Sequence, residues 1–142
     1  PGRIQEISNF SFKTKRLNKT LIDGAHNVEG AVIINNYLNK LNIGKWHFIV
    51  GMMNTKNPKK FVNIFEQHIE KIVFIPISNQ TNCHSPNLLC KEFSNKKYKV
   101  QYDLNLQKAI LNIPLNKPLF VTGSLYLMGE FLKINSNEDL VF

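Results

Sequence analysis

The residues best suited to chemistry stand in the stretch Leu21-Ile22-Asp23-Gly24-Ala25-His26-Asn27-Val28-Glu29-Gly30-Ala31. A short apolar pair runs into an acid, a glycine, an imidazole and an amide, where a buried strand would be turning into a helix. An aspartate at a strand tip can accept hydrogen bonds from ribose hydroxyls or hold a cation. An imidazole at a helix start can approach a phosphate or a carboxylate. Turn geometry and capping account for Gly, Asn, Ser and Asp at such junctions generally, but not for Asp23 together with His26. Gly123-Ser124 follows Leu119-Phe120-Val121-Thr122 in the same way, the glycine permitting close backbone approach and the hydroxyl free to donate to an anion. A nucleophile elbow needs glycine two residues after the serine; Tyr126 stands there, which excludes serine-hydrolase chemistry. Lys56 is either a phosphate or carboxylate contact or a solvated lysine near a helix start. His47 alternates inside a strand, His68 belongs to a helix face and His84 to a loop, and none of the three is expected to be a ligand. No Gly-x-x-x-x-Gly-Lys-Ser/Thr occurs, and no Gly-x-Gly-x-x-Gly follows a strand, so this sequence holds no standard cradle for a triphosphate or a dinucleotide.

These residues need elements to hold them, and the chain alternates apolar runs with helix-period segments in the manner of an α/β domain. Strands are expected over 4–7, 20–22, 46–50, 71–77, 98–102 and 119–122. Between them, 8–18 is polar and reads as a loop or hairpin without chemistry. A helix over 28–41 turns Ala31, Ile34, Leu38 and Leu41 inward and stops near Gly44. A second over 58–69 carries Phe61, Ile64, Phe65 and Ile69, with Asn57 as its cap and Pro58 first. Ser85-Pro86 opens a third with Leu89 and Phe93, and a fourth over 104–113 buries Leu106, Ala109, Ile110 and Ile113. The last, over 125–134, presents Leu125, Met128 and Leu132. Strands such as Phe48-Ile49-Val50 and Ile72-Val73-Phe74-Ile75 are apolar without alternation, so helices are expected on both faces. The expected architecture is a three-layer sandwich around a doubly wound, mostly parallel six-stranded sheet. In such a sheet ligands bind beyond the carboxyl ends of the strands. That edge collects 23–27, 51–57, 78–82, Asp103 and Gly123-Ser124.

One domain over residues 1–135 suits a chain of 142 residues with 43% hydrophobic content, followed by a tail over 136–142 whose polarity leaves it open to disorder. Pro1 in place of Met suggests a piece of a longer chain. With no long apolar run and no secretory pattern at the start, a soluble cytoplasmic protein is expected, most simply a monomer and with no membrane partner. Cys83 and Cys90 read as free thiols, because nothing near Cys83-His84 completes a four-ligand zinc set. The net charge of +8 suits an anionic partner: nucleic acid, a membrane surface, or a small molecule bearing phosphate and carboxylate. Many of the lysines alternate with asparagines along helix faces, where solvation alone explains them.

Pro1-Gly2-Arg3 with Gln5, Asp23-Gly24-Ala25-His26-Asn27, Gly51-Met52-Met53 with Lys56, and Val121-Thr122-Gly123-Ser124-Leu125-Tyr126-Leu127 occur here in that order. In this the chain resembles the C-terminal domain of folylpolyglutamate synthase and bifunctional dihydrofolate synthase, in the Mur ligase superfamily. The resemblance spans residues 1 to about 134. It implies a Rossmann-like Mur ligase C-terminal domain that closes over an N-terminal P-loop ATPase domain of the same chain. ATP and Mg²⁺ would be held there, the Mg²⁺ ligands lying in that N-terminal part and none in this one. By position, Arg3 would contact ATP phosphate at the domain hinge and Asp23 would bind the nucleotide. His26 would lie close to the phosphates and the reacting carboxylate, and Ser124 would help hold the incoming L-glutamate. The implied reaction phosphorylates a carboxylate of dihydropteroate or folate and then joins glutamate to it through the acyl phosphate. The sequence departs from the family pattern in Val28, where proline is usual, and in Thr55-Lys56-Asn57, where the family has Asp-Lys-Asp. Other readings are a basic α/β module binding nucleic acid, the C-terminal domain of another Mur-type amino-acid ligase, and a stand-alone nucleotide-binding domain, against which the lack of a phosphate loop speaks. The first would need lysines gathered on one face with exposed aromatics, whereas Phe and Tyr mostly occupy core positions of the pattern, so no nucleic-acid partner is expected.

Overall fold

A computed structural model of the chain describes residues 3–8, 10–12, 15–16 and 19–140; Pro1-Gly2 of the first motif and Val141-Phe142 of the tail lie outside the described residues. The strands are β1 (Gln5–Ile7), β2 (Ser11–Phe12), β3 (Lys15–Arg16), β4 (Thr20–Ile22), β5 (Trp46–Val50), β6 (Ile69–Phe74), β7 (Lys99–Tyr102) and β8 (Leu119–Thr122). The helices are α1 (Val28–Leu41), α2 (Pro58–Phe65), α3 (Pro86–Glu92), α4 (Leu106–Leu111) and α5 (Leu125–Leu140). Six strands form one sheet in the order β1-β4-β8-β5-β6-β7, parallel except for the edge pair β1–β4, and β2–β3 make a separate hairpin.

The side-chain alternation of the strands divides the core between the two faces. Leu21, Trp46, Phe48, Val50, Phe74 and Phe120 pack with α1, α2 and α3 on one side; Ile22, Ile49, Val73, Leu119 and Val121 pack with α4, α5 and the hairpin on the other. Phe48 stacks between Phe65 and Phe120, at centroid distances of 5.0 and 5.3 Å. The expected doubly wound sandwich is therefore the observed one. No helix among the described residues is long and apolar enough to cross a membrane.

Four local expectations are corrected. The α2 helix ends at Phe65, a 3₁₀ turn covers Glu66–His68, and Ile69 opens β6 opposite Trp46. Ile69 buries against the same cluster as a strand residue as it would from a helix, so the apolar period alone could not separate the two. The β6 strand stops at Phe74 rather than 77, since Pro76 has no N–H to continue a ladder, although Ile75 and Ile77 stay buried. The hairpin segment is more than a polar loop: Phe10 is fully buried, its ring 4.6 Å from Phe131 of α5. Finally, α5 continues to Leu140, past the expected end at 134, and turns Leu127, Met128, Phe131 and Ile134 inward. Of the three residues expected to face the core, Met128 does, while Leu125 and Leu132 are 54% and 36% exposed. Packing against Phe10 fixes that rotation.

Candidate functional site

Strand order creates the site. The chain lays down β4, crosses over to β5, β6 and β7 with its helices on one face, then returns through α4 on the other face to insert β8 between β4 and β5. The neighbouring strands β4 and β8 thus send their following helices, α1 and α5, to opposite faces, which opens a crevice at their carboxyl ends. Register completes the juxtaposition. Ile22 pairs with Val121 and Val50 with Thr122; Asp23 N–H donates to Val121 O at 3.0 Å and Gly51 N–H to Thr122 O at 3.3 Å. The segments 23–27, 51–57 and 123–124 therefore leave the sheet side by side.

Two cavities open on this rim. The larger, ≈ 590 Å³, has Arg3, Asp23, His26 and Asn27 as its polar lining, with Ile33 and Tyr37 of α1 and Leu125 as apolar walls. The smaller, ≈ 170 Å³, is lined by His26, Met53, Lys56, Gly123, Ser124, Leu125 and Tyr126. His26 and Leu125 belong to both. All five residues singled out from the sequence, Arg3, Asp23, His26, Lys56 and Ser124, line one cavity or the other, and His26 stands at their junction. A further cavity of ≈ 510 Å³ lies at the amino ends of β5 and β6 beside Lys45 and Ile69, remote from this chemistry.

Asp23 is 3% exposed and accepts a short hydrogen bond from Ala25 N–H. Burial pushes its carboxyl up to about 6 from the usual 3.8, against the opposing pull of that N–H and of His26. His26 Nδ1 donates to Gly24 O at 3.1 Å, leaving Nε2 as the ring nitrogen available to a ligand. Asn27 does the structural work here: its side chain accepts from Gly30 N–H at 2.9 Å and caps α1. Gly30 is required because a Cβ there would stand 2.5 Å from Ala25 Cβ, so a side chain at 30 would displace the Asp23–His26 turn. Ser124 is 3% exposed, and its Oγ accepts from Tyr126 N–H at 3.0 Å as the cap of α5. Its O–H proton remains for a ligand. Lys56 is half-buried, with no ion-pair partner among the described residues.

A family model described as "Dihydrofolate synthetase, C-terminal domain" matches residues 5–134. The chain belongs to this family. The dihydrofolate synthetase of Saccharomyces cerevisiae is 24% identical over 152 residues, which cover 97% of this chain and 36% of the yeast protein. Among solved structures, the folylpolyglutamate synthase of Thermotoga maritima shares the fold at a TM-score of 0.79 and 22% identity, over 96% of this chain and 31% of that one. A Mycobacterium tuberculosis folylpolyglutamate synthase complexed with ADP and AMPPCP gives 0.77 at 16%, covering 94% and 32%. E. coli FolC in complex with ADP gives 0.74 at 14%, covering 99% and 32%. The chain thus spans about a third of the length of the relatives it matches.

In this dihydrofolate synthetase C-terminal domain, several rim residues resolve into structural roles. Asp103 accepts from Leu104 N–H at 3.0 Å and from Asn112 Nδ2 at 2.9 Å, away from both cavities. Ser78 N–H donates to Glu130 at 3.1 Å. Among the described residues no three His, Cys, Asp or Glu side chains form a group that could hold a metal ion, and Cys83 and Cys90 are free. Sequence reasoning missed Ile33, Tyr37, Leu125 and Tyr126 as cavity walls. The available signal was that α1 carries more large apolar residues than one buried stripe requires, Ile33 being 61% exposed.

The raised Asp23 carboxyl has a stability consequence for this domain. Between the unfolded value near 3.8 and the folded value of about 6, the folded state holds more protons than the unfolded one. Stability therefore falls as pH rises through that window, and the full cost is present above it. Asp23→Asn, which keeps the acceptor for Ala25 N–H, is expected to flatten this fall and to stabilise the domain at pH 7 by about 2–3 kcal/mol. Urea unfolding at pH 4 and pH 7 measures the difference.

Proposed function

We propose that this domain, residues 1–135, is the amino-acid-binding lid of an ATP-dependent ligase that joins L-glutamate to dihydropteroate or a folate. The observation that carries this reading is the pair of cavities meeting at His26, which supplies two differently equipped compartments beside one shared imidazole. The larger suits a nucleotide: Arg3 offers a phosphate contact, Asp23 an acceptor for hydroxyl donors, and Ile33, Tyr37 and Leu125 an apolar wall. The smaller suits a compact amino acid, with the Lys56 ammonium and the Ser124 hydroxyl to meet carboxylate oxygens.

ATP supplies the activation, transferring its γ-phosphoryl group to the acceptor carboxylate; glutamate nitrogen then bonds to that carbonyl carbon as phosphate leaves and the ammonium gives up its protons. The work of this domain is placement. With its Nδ1–H given to Gly24 O, the neutral ring presents His26 Nε2 as an acceptor, able to take a proton from a group at the junction of the cavities and, once it holds that proton, to donate it. Closing the lid excludes water, which strengthens Lys56, Arg3 and His26 as partners for developing negative charge. The phosphate cradle and the Mg²⁺ ligands belong, on this reading, to an N-terminal P-loop domain of the same protein, and the isolated domain is inactive. Support comes from the family match and from the absence of any Gly-x-x-x-x-Gly-Lys-Ser/Thr in this sequence.

The test is ADP release by the complete ligase with dihydropteroate and with a folate as acceptors, dependent on both ATP and glutamate. Ser124→Ala is expected to raise KM for glutamate by roughly tenfold, the worth of one hydrogen bond to a charged group, with KM for ATP unchanged. Turnover that ignores glutamate, or a Ser124→Ala enzyme with unaltered KM for glutamate, would refute the assignment of the smaller cavity.

A further inference from the structure

We infer that His84 is a positioning residue for Lys56, fixing the direction in which that lysine enters the smaller cavity; this rests on the reading that the cavity takes glutamate. Beyond Gly51 the 51–57 loop leaves the six-stranded sheet and is held from the 82–84 segment. Asn54 N–H donates to Asn82 O at 2.7 Å, Met53 and Cys83 form an antiparallel bridge, and His84 N–H donates to Met52 O at 2.8 Å. These backbone links fix the first half of the loop. In the second half a side chain joins in, His84 Nε2 donating to Lys56 O at 2.8 Å. Lys56 N–H already closes the loop's own turn on Met53 O at 3.1 Å. With both its amide and its carbonyl engaged, the backbone of Lys56 is held on either side of the Cα from which the side chain leaves.

The neighbours of Lys56 make this clip necessary. Thr55 and Asn57 bring no charge to orient an ammonium, and the Asn57 side chain is already spent on Lys60 N–H at 3.1 Å as the cap of α2. No carboxylate pairs with Lys56 among the described residues. A flexible lysine on an unpinned loop would have to be ordered by each arriving substrate, which weakens binding; one whose backbone is fixed beforehand avoids much of that cost. His84 therefore acts through Lys56 and touches no substrate itself.

The experiment is steady-state kinetics of the complete ligase, with thermal melting run on each variant. His84→Ala is expected to raise KM for glutamate about five- to tenfold, leaving KM for ATP and kcat at saturating glutamate within about twofold. His84→Gln, whose amide N–H reaches close to the place of Nε2, should recover most of the loss; His84→Leu should not. Lys56→Ala should raise the same KM, and adding His84→Ala to it should cost little more, because the two act as one unit. If Lys56→Ala raises KM for glutamate while His84→Ala does not, the inference fails and the reading of the cavity stands. If Lys56→Ala leaves that KM unchanged, both fail. A His84→Ala enzyme that melts earlier and loses ATP and glutamate affinity equally, without rescue by glutamine, would show general loop damage and overturn the positioning role.

Discussion

His26→Ala in the complete ligase is expected to lower kcat by roughly 10²–10³-fold, as removal of a positioned proton-transfer group does elsewhere. The fold should survive. His26 is half-buried and its ring bonds, among the described residues, to the carbonyl two residues before it, while Asn27 caps α1 independently of the ring. Because the ring borders both cavities, its loss should appear mainly in kcat, with smaller changes in KM for either substrate. Circular dichroism and melting report the fold, and single-turnover transfer of labelled glutamate reports the chemistry. Wild-type turnover in the variant would reduce the Asp23–His26 turn to a structural junction between β4 and α1.

The second large effect falls on Gly123. Its φ of +116° lies where side chains are rarely tolerated, and a Cβ there would stand 2.5 Å from Gly51 O, 3.0 Å from Met52 Cγ and 3.1 Å from Val50 Cγ1. The nearest obstacle is backbone, so no rotamer change relieves it. Gly123→Ala should cost about 3 kcal/mol or more, seen as a fall of roughly 10 °C in Tm. Relieving the clash separates the Gly51 and Gly123 backbones, which on the proposed reading shifts Ser124 relative to the Lys56 loop. Gly129→Ala on α5 is the matched control: nothing lies within 4 Å of that Cβ, and the change should be neutral or stabilise by about 0.5–1 kcal/mol. Equal melting temperatures for the two variants would show that the Gly123 contact is soft.

Much of this was legible locally. Asn57-Pro58 and Ser85-Pro86 declare their helices because capping is settled within four residues, and the side chains accept from Lys60 and Leu88 N–H as the motif requires. The two-sided burial of β5 could be read from its unbroken apolar run. Asp23 and His26 stood out as candidates because turn chemistry does not call for an acid and an imidazole together, and Ser124 because Gly123-Ser124 follows an apolar strand.

Composition, element types, helix starts and the family motifs are thus properties of the chain alone, since each is decided by neighbours a few positions apart. The placing of Asp23 and Ser124 on one rim is not: it depends on β8 entering between β4 and β5, a parallel pairing chosen by burial of both faces across about a hundred residues. The same non-local packing rotates α5 so that Phe131 meets Phe10 and Leu125 is left to wall the cavities. It also desolvates Asp23 and brings His84 against Lys56 O. Periodicity specifies which face of an element is apolar; which partner covers that face, and which side chains remain at its edge, is decided only when the sheet is assembled.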